Sequence, residues 1–172
     1  GVDYMIRSEP LGVEKNPNIR FLIVGWGNVK EHLQRLAKEI GVSKKVIFTG
    51  KVPYKEVPMY INSSEVCLAP FPKSRTMEQG TSALKIWEYL ACGVPVVASK
   101  VPNIDFIEQK GLGTLVEPEN SEEIAKATNK LLENEKLRKK IGEKGRQYVV
   151  KNHSWDTVGK KVSKISRKVI RE

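Results

Sequence analysis

The stretch "SALKIWEYLACGVPVVAS", Ser82–Ser99, reads as a helix that stops at a glycine and runs straight into a strand. Leu84, Trp87 and Ala91 are expected to pack on a sheet, while Thr81, Lys85 and Glu88, at i, i+4 and i+7, share a second face. Taken alone, that second face is an ordinary solvated one, with Lys85 and Glu88 as a surface ion pair worth about 0.2–0.5 kcal/mol. The mouth of the helix argues for more. Gly80-Thr81-Ser82-Ala83 lets an anion approach unpaired backbone N–H groups at the positive end of the helix dipole. A carboxylate one or two turns further in suits a ribose, because its two oxygens accept from both hydroxyls of a cis-diol. Phosphate at the mouth and ribose beside Glu88 together describe a nucleotide site.

Outward from this unit the pattern alternates. "IRFLIV" (Ile19–Val24) is a strand closed by Gly25-Trp26-Gly27, and Asn28 is expected to cap the helix carrying Leu33, Leu36 and Ile40. "KVIFTG" (Lys45–Gly50) is a second strand, followed by a short helix near Pro58–Asn62 with proline in its first turn. "EVCLAP" (Glu65–Pro70) is a third, apolar enough for burial on both faces. The polar loop Phe71–Gly80 is long for a compact domain, which points to a binding role.

After "PVVAS" come a short helix near Ile104–Gln109 and a fifth strand, "GTLVEP" (Gly113–Pro118). Asn120 and Glu123 offer a capping box, and helices follow to about Asn134, over Glu135–Lys151 and over Trp155–Arg171. The expectation is a single α/β domain over residues 1–172, a Rossmann-like parallel sheet flanked by helices, with an irregular or truncated start at 1–17. Ligands of such sheets lie beyond the carboxyl ends of the strands, so the loops Gly25–Asn28, Gly50–Pro53 and Pro70–Ser82 are the ones expected to matter.

Composition bounds the reading. At 172 residues, 40% hydrophobic and 29% charged, the chain is an ordinary globular domain. No apolar run reaches the roughly 20 residues that span a bilayer. The chain begins at Gly1 without a signal-like region, and is expected to be an excerpt of a longer cytoplasmic protein. Cys67 and Cys92 lack metal-ligand spacing and read as two small buried thiols. The formal charge of +10 is the outlier and favours anionic partners. His32 and His153 have no carboxylate or thiol at ligand spacing, so no metal is expected. No nucleic-acid motif accompanies the charge.

"LKIWEYLACGVPVVAS" resembles the donor-binding helix and following strand of retaining glycosyltransferases of the GT-B fold, family 4. "NPNIRFLIVGWG", "VIFTGKVPYKEVPMYINSSEVCLAPFP", "LVEPENSEEIAKA" and "HSWDTVGKKV" each resemble the matching family segment, in the same order, over about Asn16–Val162. The resemblance implies the C-terminal half of a GT-B enzyme. That half would bind a nucleotide-diphosphate sugar, UDP-, GDP- or ADP-linked, and would need no metal or other cofactor.

It further implies that Glu88 holds the ribose, that backbone amides of Ala83 and Leu84 hold the diphosphate, and that Gly50, Lys51 and Val52 cradle the base through their main chain. Gly25, Gly27, Thr81, Ser82 and Lys85 complete the candidate set, with Lys85 and the helix-end amides meeting charge on the leaving diphosphate. Two departures stand out. The family's first motif glutamate falls on Gly80, and Glu78 is the candidate substitute. The family's opening strand, Gly-Arg turn and Lys-Gly pair have no match before Asn16, and Arg7 and Lys15 lack the spacing to replace them.

A missing N-terminal half would supply the site for a glycan or lipid-linked acceptor of a hexose-type sugar, so this piece alone is expected to be inactive. The alternatives are a non-catalytic nucleotide-binding or interaction domain and a nucleotide-sugar epimerase of the same fold. Trp155, Val158, Val162, Ile165 and Val169 form a stripe expected to pack on the body of the protein. The opposite face, with Lys160, Lys161, Lys164, Arg167, Lys168 and Arg171, is open to peripheral contact with acidic membrane lipid.

Overall fold

The computed structural model describes residues 1–13, 16–73 and 84–169. In chain order the elements are α1 (Val2–Val13), β1 (Phe21–Val24), α2 (Lys30–Glu39), β2 (Val46–Gly50), a 3-10 turn (Tyr54–Glu56), α3 (Val57–Asn62), β3 (Cys67–Ala69), α4 (Leu84–Ala91), β4 (Val96–Ser99), α5 (Phe106–Gln109), β5 (Gly113–Val116), α6 (Ser121–Leu132), α7 (Glu135–His153) and α8 (Trp155–Val169). β1 pairs with β2, and β3–β4–β5 pair in that order; every ladder is parallel. Where one sheet was expected, no ladder joins β1 to β3 among the described residues. The resemblance places a further strand ahead of α1, and none lies among the described residues.

Alternation along β4 explains its double cover. Val96 and Ala98 face a cluster built from Ile86 and Leu90 of α4, Ile107 of α5 and Val149 of α7. Val97 faces the other way, onto Ile124, Ala127 and Leu131 of α6. A third cluster joins Met5 and Ile6 of α1 to Phe21, Leu33, Leu36 and Val46. Helices therefore cover both faces of β4, as the βα alternation predicts, while Ile47 of β2 is exposed.

Several expectations are corrected. Residues 2–13 form a helix, not an irregular start; α1 packs along α6 and α2 and buries Met5, Ile6 and Glu9 despite Pro10 in its interior. Glu9 is 1% exposed with Oε1 unpartnered, and desolvation pushes its pKa up against the pull of Lys45 and Arg20. Asn28 does not cap α2: Val29 holds the cap position without a side-chain bond, and Lys30 N–H donates to the Gly27 carbonyl at 3.1 Å. The capping box on α6 is half formed. Asn120 Oδ1 accepts from Glu123 N–H at 3.0 Å, but the Glu123 carboxylate accepts from Glu117 N–H and from the Asn120 side-chain amide.

Leu84 is 62% exposed and does not pack on the sheet; Ile86 and Leu90, at i and i+4, are the fully buried pair. The stripe on α8 is corrected too. Trp155, Val162, Ile165 and Val169 are exposed, Trp155 at 83%, and only Val158 of the stripe is half-buried. Cys67 and Cys92 are free thiols, and burial pushes the Cys67 thiol up to about 12. No described helix is long and apolar enough to cross a membrane.

α4 is pinned from behind by a backbone contact. A Cβ added at Gly142 of α7 would run into the carbonyl of Gly93, which itself sits at φ 75° just past α4. Gly142→Ala is expected to cost about 1–3 kcal/mol through overpacking. Gly159→Ala on α8, where a Cβ would meet nothing within 4 Å, is expected to gain about 0.5–1 kcal/mol of helix stability. Thermal unfolding checks the pair: melting points moving in opposite directions are expected, at about 2–4 °C per kcal/mol. Equal melting points would contradict the Gly93–Gly142 contact.

Candidate functional site

Three strand ends and one helix converge on the carboxyl side of the sheets. Gly25 (φ 137°) follows β1 and Gly50 (φ 73°) ends β2, and Gly25 N–H donates to the Gly50 carbonyl at 3.0 Å. Both backbones occupy the left-handed half of φ space, where a Cβ would be strained, so the two turns sit close and bare. Around Gly25 and Gly27 a Cβ would find nothing within 4 Å, which leaves backbone open to a ligand. Lys51 is exposed and Val52 half-buried in the loop that follows β2.

β3 ends at Ala69, and two residues on Phe71 N–H donates to Ser99 Oγ at 2.9 Å. Ser99 is 1% exposed at the end of β4, so this bond fixes the chain as it leaves the sheet and satisfies a buried hydroxyl. Glu78, Gly80, Thr81, Ser82 and Ala83 lie outside the described residues. Leu84 and Glu88, at i and i+4, share the side of α4 turned away from its buried Ile86 and Leu90.

Glu88 is half-buried, and its Oε1 accepts from the Tyr54 hydroxyl at 3.1 Å. That bond brings the loop after β2 to the carboxylate on α4. A carboxylate has about four acceptor positions, and Tyr54 takes one of them. Tyr54 is held above its ordinary pKa first by this hydrogen bond and then by the Glu88 charge.

Lys85 makes no ion pair with Glu88 among the described residues, so the surface-pair reading is corrected. Its Nζ lies 5.0 Å from the centroid of the Phe71 ring. Lys85 is exposed by area, yet its ammonium is crowded enough that desolvation lowers its pKa. A cation over an aromatic face beside Glu88, with no ion-pair partner among the described residues, is suited to an anionic ligand.

Behind α4, Trp87 stacks on Phe106 at 4.5 Å and on His153 at 3.9 Å between centroids. His153 is thus a packing residue, and desolvation lowers its pKa. His32 is exposed. Among the described residues no group of three or more His, Cys, Asp or Glu is placed to hold a metal ion.

Two residues escaped the sequence reading. Tyr54 follows the expected loop directly, but no spacing rule pairs it with Glu88, 34 positions away. Lys30 opens α2, and its Nζ lies 3.9 Å from where a Gly50 Cβ would be, which sets a cation beside the Gly50 turn.

With this geometry in place, comparisons with known proteins narrow the field. The family described as "Glycosyl transferases group 1" matches residues 1–148. A GDP-mannose-dependent alpha-(1-6)-phosphatidylinositol monomannoside mannosyltransferase from Mycolicibacterium smegmatis is 31% identical over 170 residues, 96% of this chain and 44% of the relative. Among solved structures, a TarM variant from S. aureus in complex with fondaparinux, alpha-GlcNAc-glycerol and UDP superposes with a TM-score of 0.81. It is 22% identical, over 95% of this chain and 32% of that one. The C-terminal domain of a glycosyl transferase group 1 family protein from Francisella tularensis superposes at 0.76 and 24% identity, covering 90% of this chain and 80% of that one. The chain spans less than half the length of the curated relatives it matches.

The Tyr54–Glu88 bond has a measurable consequence. Accepting from the neutral phenol favours its protonated form, so the Tyr54 pKa should fall toward the ordinary value of about 10 in Glu88→Gln. Phenolate absorbance of the parent and of Glu88→Gln, each minus its Tyr54→Phe counterpart, measures the change. An unchanged Tyr54 midpoint would contradict the contact.

Proposed function

The chain belongs to the glycosyl transferases group 1 family, and from that premise we propose that it is the donor-binding domain of a retaining glycosyltransferase. Its ligand is a nucleotide-diphosphate sugar. The observation that carries this reading is Glu88, half-buried on α4 and joined through Tyr54 to the loop after β2. A carboxylate between a glycine-lined turn and a helix mouth suits a ribose whose base and phosphates lie on either side.

In this arrangement the base lies against the backbone of Gly25, Gly27 and Gly50–Val52, with the exposed Trp26 and Tyr54 beside it. Glu88 accepts from the ribose hydroxyls. The diphosphate is held at the start of α4 by the amides of Leu84 and of Ala83, the latter outside the described residues. Lys85 and the helix dipole oppose the negative charge that grows there.

During transfer, the bond from the sugar's anomeric carbon to the phosphate oxygen breaks and a bond to the acceptor oxygen forms on the same face of the ring. The acceptor proton passes to the leaving phosphate, so charge and atoms balance without a protein base or a metal. The acceptor, a glycan or lipid-linked sugar, is held by a partner domain, and this chain alone binds donor without transferring it. A relative whose name includes GDP-mannose and a structural neighbour solved with UDP support the nucleotide-diphosphate class.

Calorimetry with UDP and GDP tests the reading. The parent chain is expected to bind at least one of them, and Glu88→Ala to weaken binding at least several-fold. A lost hydrogen bond to a charged group is worth about 1.5–3 kcal/mol. Glu88→Gln is expected to be milder, since its amide oxygen still accepts. Unchanged affinity in Glu88→Ala, with an unchanged melting temperature, would remove Glu88 from the site.

A further inference from the structure

Packing does not account for Trp26. The residue lies between Gly25 and Gly27 in the turn that follows β1, and it is 76% exposed. An indole is among the side chains a fold gains most by covering, because of its large apolar surface. Trp87 follows that rule, stacked on Phe106 and on His153 behind α4. The turn around Trp26 is open instead. A Cβ at either flanking glycine would meet nothing within 4 Å, so no other described part of the chain closes over the root of the ring.

The backbone fixes what this ring borders. Gly25 N–H donates to the Gly50 carbonyl at 3.0 Å, so Trp26 is one residue from the point where the turns after β1 and β2 touch. Past Gly50, Tyr54 is 77% exposed, with its hydroxyl on Glu88 Oε1 at 3.1 Å. Two large exposed rings thus rise from two adjoining turns. They differ in what they offer. The polar end of Tyr54 is committed to the Glu88 carboxylate, whereas Trp26 presents an exposed π face and an indole N–H. A base laid against the backbone of Gly25 and Gly50 comes within reach of that face.

We propose that Trp26 stacks on the base of the nucleotide and makes the site favour a purine over a pyrimidine nucleoside diphosphate. This rests on the donor-binding reading above and narrows its substrate class. Every base has a π face, so stacking by itself tolerates any of them. The gain grows with the overlap, however. The fused rings of a purine match both rings of an indole, whereas a pyrimidine covers only part of it. Main-chain groups at Gly50–Val52 address the edge of a base and leave its size unread; the ring of Trp26 reads it. A tryptophan also loses little conformational freedom on contact, since only two side-chain torsions are fixed.

Calorimetry with GDP, ADP and UDP on the parent chain, Trp26→Ala and Trp26→Phe tests the stack, with tryptophan fluorescence and melting temperature recorded alongside. The parent is expected to bind both purine nucleotides more tightly than UDP. In Trp26→Ala, affinity for GDP and ADP is expected to fall about tenfold, the scale of one lost base–aromatic stack, and affinity for UDP about threefold. Trp26→Phe keeps a ring and is expected to stay within about threefold of the parent. It is also expected to lose most of the fluorescence quenching that GDP causes in the parent. Melting temperatures are expected to change little, as for other substitutions at exposed positions.

Unchanged GDP and ADP affinity in Trp26→Ala overturns the stack and leaves the donor-binding reading standing. Undiminished quenching by GDP in Trp26→Phe also overturns it, since the quenched ring is then Trp87 or Trp155. Equal losses for GDP, ADP and UDP in Trp26→Ala, or a parent that prefers UDP, overturn the purine preference. If the parent chain binds none of the three, the donor-binding reading itself fails and the role of Trp26 fails with it.

Discussion

The backbone contact between Gly93 and Gly142 sets the geometry on which the candidate site depends. It lets α7 lie against the end of α4 with no side chain between them. Ile86 and Leu90 are then driven fully into the sheet, against Val96 and Ala98 of β4. A helix held by a buried pair on one side and a backbone contact at its end has little freedom to rotate. Glu88 inherits that rigidity. It meets Tyr54 because α4 cannot turn away from the loop after β2.

The same economy shapes the strand ends. β1 and β2 finish in glycines whose backbones touch, and β3 and β4 are stapled by Phe71 and Ser99. The carboxyl ends of β1 and β2 thus present bare glycine backbone flanked by the exposed rings of Trp26 and Tyr54 to whatever lies beyond them. Lys30 and Lys85 stand at the two sides of this surface, and neither makes an ion pair among the described residues. That is a sensible place to receive phosphate. The wider charge of +10 is another matter, since many of its lysines line the exposed faces of α7 and α8.

Most of the fold was legible because periodicity is a local property. The five strands fall within the apolar runs read from sequence, trimmed by one to three residues at their ends, and Gly93 ends α4 where the pattern stops. What failed depended on tertiary context. Pro10 and Gly12 weaken the helical signal of residues 2–13, and only packing along α6 reveals α1 as a helix. Leu84 looked like a core residue by spacing, but α4 is rotated so that Ile86 and Leu90 take the core. The stripe on α8 was read as buried because it is apolar; the cover it needs is not among the described residues. In the site, Glu88 was readable from helix phase. Tyr54 and Lys30 were not, because their partners lie 20 or more positions away and no motif records the meeting.

The most direct measurement is an amide chemical-shift titration of the chain with GDP and with UDP. The account predicts shifts grouped at residues 25–28, 50–54 and 84–88, saturating together with a single dissociation constant. Shifts spread over the lysines of α7 and α8, with those three groups unmoved, would mean that the nucleotide is held as a polyanion by the basic surface. The site described here would then be wrong.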